Sequence, residues 1–444
     1  MHESSLQNRL ISELCANASN ARTHSDKQIG QIADSITAFG FVNPVIVDAE
    51  GNILCGHGRV RAAQRLGWCE VPTLCVEHLT ETQKRGFVIA ENRLAELAGW
   101  DEDLLAIEFQ HLLNADVDFE ITATGFETAE IDLILGAFGP EDDADDADGC
   151  LPDIGRTAVT RVGDLWNIGR HRLLCGDALL RENYVGLLNG ERAQMVFMDP
   201  PYNVPIAGHV SGLGATTHRE FLMASGEMSK GEFRQFLLTS CLNVASVTID
   251  GSVHFICMDW RHADELLQAG EIAYDKLINL CVWAKSAGAM GALYRSQHEL
   301  VFVFKSGTAP HTNNVMLGRH GRNRTNVWSY PGLNSFQADR EDTLAMHPTV
   351  KPLGLVADAI LDCSTRGQIV LDPFLGAGTT ILAAERTGRI CHGMELDPLY
   401  VDVALRRLRS VTGIEPVCAK SGKSFSGRER EVIAGVAVQA AGGD

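Results

Sequence analysis

The spacing of apolar and polar positions divides the chain into two unlike halves. In the first, the elements are short. "IADSITAFGF" sets Ile32, Ile36 and Phe39 at helical intervals and stops at Gly40, which predicts an amphipathic helix with a glycine terminator. "NPVIVD" and "ILC", separated by "AEGN", predict two strands around a turn. "GHGRVRAAQRLG" reads as a glycine-flanked loop opening a basic helix that ends at Gly67, and "VPTLCV" as a further strand. Helical patterns continue to about Phe138, and residues 101–138 show no spacing that identifies a helix-turn-helix. These elements add up to a small α+β domain.

The pattern then disappears. "GPEDDADDADGCLPD" packs six acids into residues 141–148. Such a run repels itself and buries nothing, so it reads as a disordered linker. Beyond it the apolar runs lengthen. "DLWNIGRHRLLCGDAL" predicts a hairpin leading into a strand. "AQMVFM", "SVHFICM", "LINLCVWAK", "ELVFVFK", "QIVLD" and "RICHGMELD" predict further strands, spaced by helical or polar segments. Alternation of this kind predicts an open, mostly parallel α/β sheet with helices on both faces. After about Pro416 the chain is rich in Gly, Ala, Ser and charge, which predicts a poorly anchored tail.

Two of these strands end in unusual loops. "MDPPYNV", residues 198–204, puts an acid, two prolines and a tyrosine where the chain leaves a buried strand. Proline fixes φ and aspartate caps turns, so the loop is either a stiff connection or a rigid clamp for a flat, polar ligand. In "IVLDPFLGAGTTILAAERTGRICHGMELD" a strand ends at Asp372, and a loop with Gly376 and Gly378 opens a helix near Thr379. The next strand ends at Glu395, 19 residues after Gly376. Glycines that let a ligand approach the backbone, followed by an acid that can hold ribose hydroxyls, form a dinucleotide-type site. The loop has the aromatic Phe374 and lacks a third glycine at the usual spacing. That suits a nucleoside ligand without a pyrophosphate better than NAD.

Composition narrows the field. A chain of 444 residues accommodates two or three domains, and 45% hydrophobic with 21% charged residues is ordinary for a soluble globular protein. No apolar run approaches a membrane span, and "MHESSLQNRL" lacks a signal pattern. The expectation is a cytoplasmic protein with no membrane partner. The twelve cysteines include no CxxC pair and no Cys/His zinc spacing, so neither disulfides nor a metal are expected. A net charge of -19 argues against broad, non-specific nucleic-acid binding. It leaves room for a local basic surface. "LGRHGRNRTN" carries Arg319, Arg322 and Arg324 around His320, and is either a solvated loop or a phosphate-contacting one.

"DPPY" at residues 199–202, "HPTVKP" at 347–352 and "DPFLGAGTT" at 372–380 resemble, in this order, the signature motifs of β-class amino-group DNA methyltransferases. "YRSQHELVFVFKSG" resembles a segment found between the first two motifs in that family. The resemblance covers about residues 159–413. It implies a Rossmann-like S-adenosylmethionine-dependent methyltransferase sheet acting on double-stranded DNA. Asp199, Pro200, Pro201 and Tyr202 would form the catalytic clamp for the exocyclic amine of a flipped-out base. Cofactor contacts are implied for Asp177, Thr349, Lys351, Asp372, Phe374, Gly376, Gly378, Thr379, Glu395 and Asp397, with Glu395 on the ribose. As plain helix caps, His347 and Lys351 would have no such role. Arg295, Arg319, Arg322 and Arg324 are the candidate DNA contacts.

"GHGRVRAAQRLG" with the preceding "VNPVIVD" is similar to the ParB/sulfiredoxin-like domain, in which this loop and helix hold nucleotide phosphates. The corresponding residues are Gly56, His57, Gly58, Arg59 and Arg61. His57 and Gly58 stand where the segregation proteins have a more charged pair, and a DNA- or protein-docking module is the competing reading. The expected organisation is a ParB-like domain (1–140), an acidic linker (141–158), a methyltransferase domain (159–415) and a flexible tail (416–444). DPPY favours the N6 amine of adenine. The N4 amine of cytosine is the alternative, because the same clamp serves either base. A nucleotide-switched ParB-like DNA-binding protein with a non-catalytic second half is a third reading, opposed by the intact Asp199, Tyr202, Gly376 and Glu395. A homodimer and a nucleotide in the first domain stay open.

Overall fold

The computed structural model describes residues 6–17, 20–115, 117–138, 152, 154–155, 157–204, 223–286, 288, 293–318, 322–331 and 350–441. The chain forms two compact units, Met1–Gly139 and Pro140–Asp444. Most of the acidic run expected as a linker lies outside the described residues.

In the first unit, strands β1 (Leu6–Leu10), β2 (Val45–Val47), β3 (Ile53–Cys55) and β4 (Glu70–Cys75) form a sheet in the order β1-β4-β2-β3. The helix Asp26–Phe39 starts where the Ser25 side chain accepts the Gln28 N–H and stops at Gly40, with φ 78°. Its buried stripe, Ile29, Ala33 and Ile36, packs with Ala62 of the helix His57–Arg65. Strand β1 was not foreseen. "LQNRL" is mostly exposed, and its backbone pairing with β4 makes it a strand without an apolar face. Helices Glu102–Asn114 and Thr128–Phe138 follow, with Phe109 and Ile131 buried.

The second unit holds a ten-stranded sheet. Its strands are β5 (Leu165–Ile168), β6 (His171–Cys175), β7 (Ala193–Met198), β8 (Thr248–Met258), β9 (Lys276–Ala284), β10 (His298–Ser306), β11 (Val327–Ser329), β12 (Ile369–Asp372), β13 (Ile390–Glu395) and β14 (Val417–Cys418). Their order is β11-β9-β10-β8-β7-β12-β13-β6-β5-β14. The centre, from β8 through β6, is parallel. The hairpin β5–β6 is present as expected, while β10 runs antiparallel to both β8 and β9. Apolar side chains pack on both faces of the sheet in two clusters. This accounts for the near-continuous apolar runs of its central strands. Among the described residues, no helix is long and apolar enough to cross a membrane.

The poorly anchored tail expected after Pro416 is corrected by the structure. β14 pairs with β5, and a helix, Phe425–Ala441, follows. Phe425 is fully buried, 5.4 Å from the Trp166 ring. Arg406 and Arg409 lie 5.5 and 5.6 Å from its ring centre. Arg428 pairs with Asp164 at 2.8 Å. One aromatic and its cations anchor the segment, and such an anchor barely alters average composition. We expect Phe425→Ala to cost about 3–5 kcal/mol of stability, read as a lower midpoint in urea unfolding of the whole chain. A truly loose tail would leave the midpoint unchanged.

Candidate active site

The sheet order creates the site. β7 and β12 are parallel neighbours, but the chain leaves β7 towards β8 on one side and β12 towards β13 on the other. Helices and loops leaving in opposite directions open a crevice at the carboxyl ends of such strands. Asp199 follows β7, Asp372 ends β12, Glu395 ends β13, and Asp177 lies just past β6. The parallel registers therefore place four carboxylates along one edge.

After Asp372 the chain turns tightly. The Asp372 carboxylate accepts the Phe374 N–H at 2.9 Å and the Thr380 hydroxyl at 2.6 Å, tying the start of the loop to the helix Thr379–Arg386. Gly376 and Gly378 have φ 53° and 87°, in the left-handed region. A Cβ at Gly378 would lie 2.9 Å from Ala404 Cβ, so this glycine serves packing against the next helix, whereas one at Gly376 would meet nothing within 4 Å among the described residues. Among those residues, the space over Gly376 is thus open to a ligand. Glu395 accepts the Gly376 and Asp397 N–H groups, each at 2.9 Å, and Asp397 caps the helix Pro398–Thr412 through Leu399 N–H. Arg407, fully buried on that helix, donates to the Ala377 carbonyl and the Thr379 hydroxyl at 3.3 and 3.2 Å. Phe374 packs 5.9 Å from Phe236. Asp177 accepts the Leu179 N–H, and the neighbouring Gly176 N–H binds the Glu395 carbonyl.

The DPPY loop is tied to residues from two other elements. Tyr202 donates its hydroxyl to Asp199 Oδ1 at 2.7 Å and lies 3.1 Å from Glu299 Oε2. Lys351 Nζ reaches Asp199 Oδ2 at 2.6 Å, Glu299 Oε2 at 3.1 Å and the Tyr202 hydroxyl at 3.1 Å. Lys285 Nζ binds Glu299 Oε1 at 2.5 Å, above the Trp283 ring. Lys351, expected as a cofactor contact, is engaged with the DPPY loop and Glu299. It lies two residues before the helix Leu353–Cys363, whose N-cap is Pro352, and is buried. Glu299, Lys285 and Trp283 were not singled out in the sequence. The available signal was a lone acid at the start of an apolar strand, "HELVFVFK".

Burial raises the Asp199 carboxyl above the usual range, against the pull of Lys351. Burial also acts on Glu299, but Lys351 and Lys285 outweigh it and hold that carboxyl down at about 2. Burial lowers Lys351, yet Asp199 and Glu299 carry it well above the ordinary amine value. Glu395 is raised by burial, opposed by the backbone N–H groups it accepts.

Other expected residues lie elsewhere. Arg322 and Arg324 are not free to contact phosphate. They pair with Asp362 at 2.7 and 2.9 Å and with Asp358 at 3.3 and 2.6 Å, and are 11% and 17% exposed. These acids lie on the helix Leu353–Cys363, so the basic loop clamps a helix to the sheet. Arg295 is exposed. Arg319, His320, His347 and Thr349 lie outside the described residues. In the first unit, Gly56 is left-handed, with φ 101°, before the helix His57–Arg65. His57 accepts the Asn17 N–H, and Arg59 donates to the Pro44 carbonyl. Arg61 donates to the His24 carbonyl and pairs with Asp26. Gly58 is close-packed, with Ile32 3.0 Å from where its Cβ would stand. The candidate nucleotide residues are thus adjacent and engaged with their own domain.

Burial, first, pushes the Asp372 carboxyl up to about 7, with the Asp199 and Glu395 charges adding to it and its hydrogen bonds opposing. A raised carboxyl favours the fold when protonated. Its contribution is full below the unfolded value and is lost as pH rises towards about 7. Asp372→Asn should therefore stabilise the ligand-free protein more at about pH 8 than at about pH 5, on the order of a few kcal/mol at most. Denaturant unfolding at both pH values checks this, and equal effects would contradict it.

Three family models match the chain: a DNA methylase model over residues 193–406, a ParB-methyltransferase HTH domain over 103–162, and a ParB N-terminal domain over 1–93. The second corrects the expectation that no helix-turn-helix is identifiable there. The chain is 47% identical over 77 residues to the ParB-like nuclease domain-containing protein YnaK of Escherichia coli, covering 17% of this chain and 88% of that one. It is 26% identical over 254 residues to the DNA adenine methyltransferase YhdJ of Escherichia coli, covering 53% of this chain and 82% of that one. With the type II methyltransferase M2.MboI of Moraxella bovis it shares 24% identity over 237 residues, 50% of this chain and 82% of the relative. The chain belongs to the N6/N4 amino-group DNA methyltransferases and carries a ParB N-terminal domain and a ParB-methyltransferase helix-turn-helix domain ahead of its methylase domain.

Proposed function

We propose that the protein transfers a methyl group from S-adenosylmethionine to the N6 amine of adenine in double-stranded DNA. The observation that carries this reading is the Asp199–Tyr202 clamp beside an open glycine loop at the carboxyl ends of β7 and β12. The open space over Gly376 fits a nucleoside approaching the backbone, and the Glu395 carboxylate suits ribose hydroxyls. When bound, the cofactor supplies an electrophilic methyl group on a sulfonium.

The remaining work falls to the chain. An exocyclic amine is a poor nucleophile because its lone pair is delocalised into the ring. Asp199 and the Pro200 carbonyl accept its N–H groups and favour the pyramidal, nucleophilic nitrogen. Pro200 and Pro201 hold those acceptors still, which limits reorganisation in the transition state. Lys351 lies 5.3 Å from the centre of the Tyr202 ring, so a flipped base would stack on the opposite face. Adenine is favoured over cytosine by the leading aspartate of DPPY.

DNA contacts are assigned to the rim of the same edge, in place of the paired Arg322 and Arg324. Trp260 follows β8 and is 56% exposed. Asp259 fixes its turn by accepting the Arg261 and His262 N–H groups. Leu300 pairs with Met258, which brings the start of β10 to this rim, and the exposed Tyr294 and Arg295 precede it. Aromatics interleaved with arginines suit stacked bases and phosphates. The first unit is proposed as a further DNA-docking module, supported by its helix-turn-helix family match.

Asp199→Ala should abolish methyl transfer while calorimetry still shows S-adenosylmethionine binding. Mass spectrometry of nucleosides from DNA treated with the wild-type protein should show N6-methyladenine. N4-methylcytosine instead would overturn the choice of base, and neither product would overturn the activity. Trp260→Ala should raise the DNA concentration needed for half-maximal rate by roughly tenfold, the worth of one stacked base, with cofactor affinity unchanged. An unchanged DNA requirement would remove Trp260 from the interface.

A further inference from the structure

Both oxygens of Asp199 already have partners. Oδ1 takes the Tyr202 hydroxyl at 2.7 Å and Oδ2 takes Lys351 at 2.6 Å. Each oxygen keeps a second lone pair for a base amine, but an ammonium held this close draws charge from the carboxylate and weakens it as an acceptor. Glu299 Oε2 stands 3.1 Å from each of those two donors. Its other oxygen is held by Lys285, which fixes the orientation of the carboxylate and balances its charge. The cluster pairs two carboxylates with two ammonium groups, so Lys351 can move between Asp199 and Glu299 without leaving an unbalanced charge in a buried site.

We propose that Glu299 is a positioning residue that draws the Lys351 ammonium and the Tyr202 hydroxyl hydrogen bond away from Asp199 when the target amine arrives, leaving the Asp199 carboxylate a stronger acceptor for the amine. This rests on the reading that Asp199 receives the amine. No covalent bond changes: one ammonium and one hydroxyl shift to an acceptor that each already reaches. Trp283, whose ring centre lies 6.0 Å from Lys351 Nζ and 4.6 Å from Lys285 Nζ, provides a flat wall along which the ammonium groups lie. The arrangement also explains why an acid is placed at the start of an otherwise apolar strand.

The charged and titratable groups that act on Asp199 are Lys351, Glu299 and Tyr202, with Cys257 on β8 and Asp372 on β12. Lys285 acts through Glu299. Among these, the negative charge of Glu299 raises the Asp199 carboxyl. Removing that charge has two separable effects. Lys351 is left with Asp199 as its carboxylate partner, which holds the Asp199 oxygen more firmly against the amine. The Asp199 carboxyl also titrates at lower pH.

The test is single-turnover methyl transfer by the full-length protein, with radiolabelled S-adenosylmethionine and saturating DNA, across about pH 5 to 9. Glu299→Gln should lower the plateau rate by roughly ten- to a hundredfold, the range of one charge-assisted hydrogen bond. Its acid limb should move to lower pH, and cofactor affinity by calorimetry should stay at the wild-type value. Glu299→Asp, which keeps the charge, should keep the acid limb at its wild-type position. A wild-type plateau with an unshifted limb in Glu299→Gln would overturn the proposal. Loss of cofactor affinity together with activity would overturn it as well, by making Glu299 a packing residue. Absence of methyl transfer by the wild-type protein would instead defeat the methylation reading beneath it.

Discussion

The parallel pairing of β7 with β12 is the constraint on which the site depends. It sets side by side two strand ends that are far apart in the chain, and it does so where the connections diverge. The DPPY loop and the glycine loop each have their own local logic: prolines that stiffen one, left-handed glycines that fold the other. Neither forms a site alone. Their adjacency comes from backbone hydrogen bonds in the sheet centre, sealed by residues such as Met195, Val196, Val370 and Leu371, which are completely buried.

That adjacency concentrates acids. Asp199, Asp372 and Glu395 lie along one edge, partly or wholly removed from water, and each is raised by burial. The structure handles them differently. Asp372 and Glu395 are held by hydrogen bonds from the glycine loop, so their cost also orders the loop. Asp199 is met by a cation, and Lys351 is shared with Glu299. On the proposed reading, in which Asp199 accepts an amine, a partner that can move suits it better than one fixed in the backbone.

A second set of charges has a purely mechanical task. Arg322 and Arg324 grip Asp358 and Asp362, holding the helix that follows Lys351, and Arg324 also donates to the Tyr330 hydroxyl. Arg407 fastens the glycine loop from behind. Guanidiniums held wholly or partly out of water reach several oxygens at once from a planar fork, and they brace the site without lining it.

The amino-acid sequence by itself determined the two-part organisation, the α/β class of the second half, the DPPY and glycine loops and the acid at the tip of the following strand. Each is written in local spacing: apolar runs, turn residues and a carboxylate at a strand end. The strand β1, the anchored C-terminal segment and the fate of the basic loop were decided by the tertiary structure. "LQNRL" is a strand because β4 offers it an edge, Phe425 is an anchor because Trp166 is there to meet it, and Arg322 and Arg324 are clamps because a helix presents two acids at the right distance. The same holds for Glu299 and Lys351. They are 52 positions apart in the chain and become partners only when β10 and the start of a helix converge on Asp199, since an ion pair is a property of distance in space and leaves no periodic trace along a sequence.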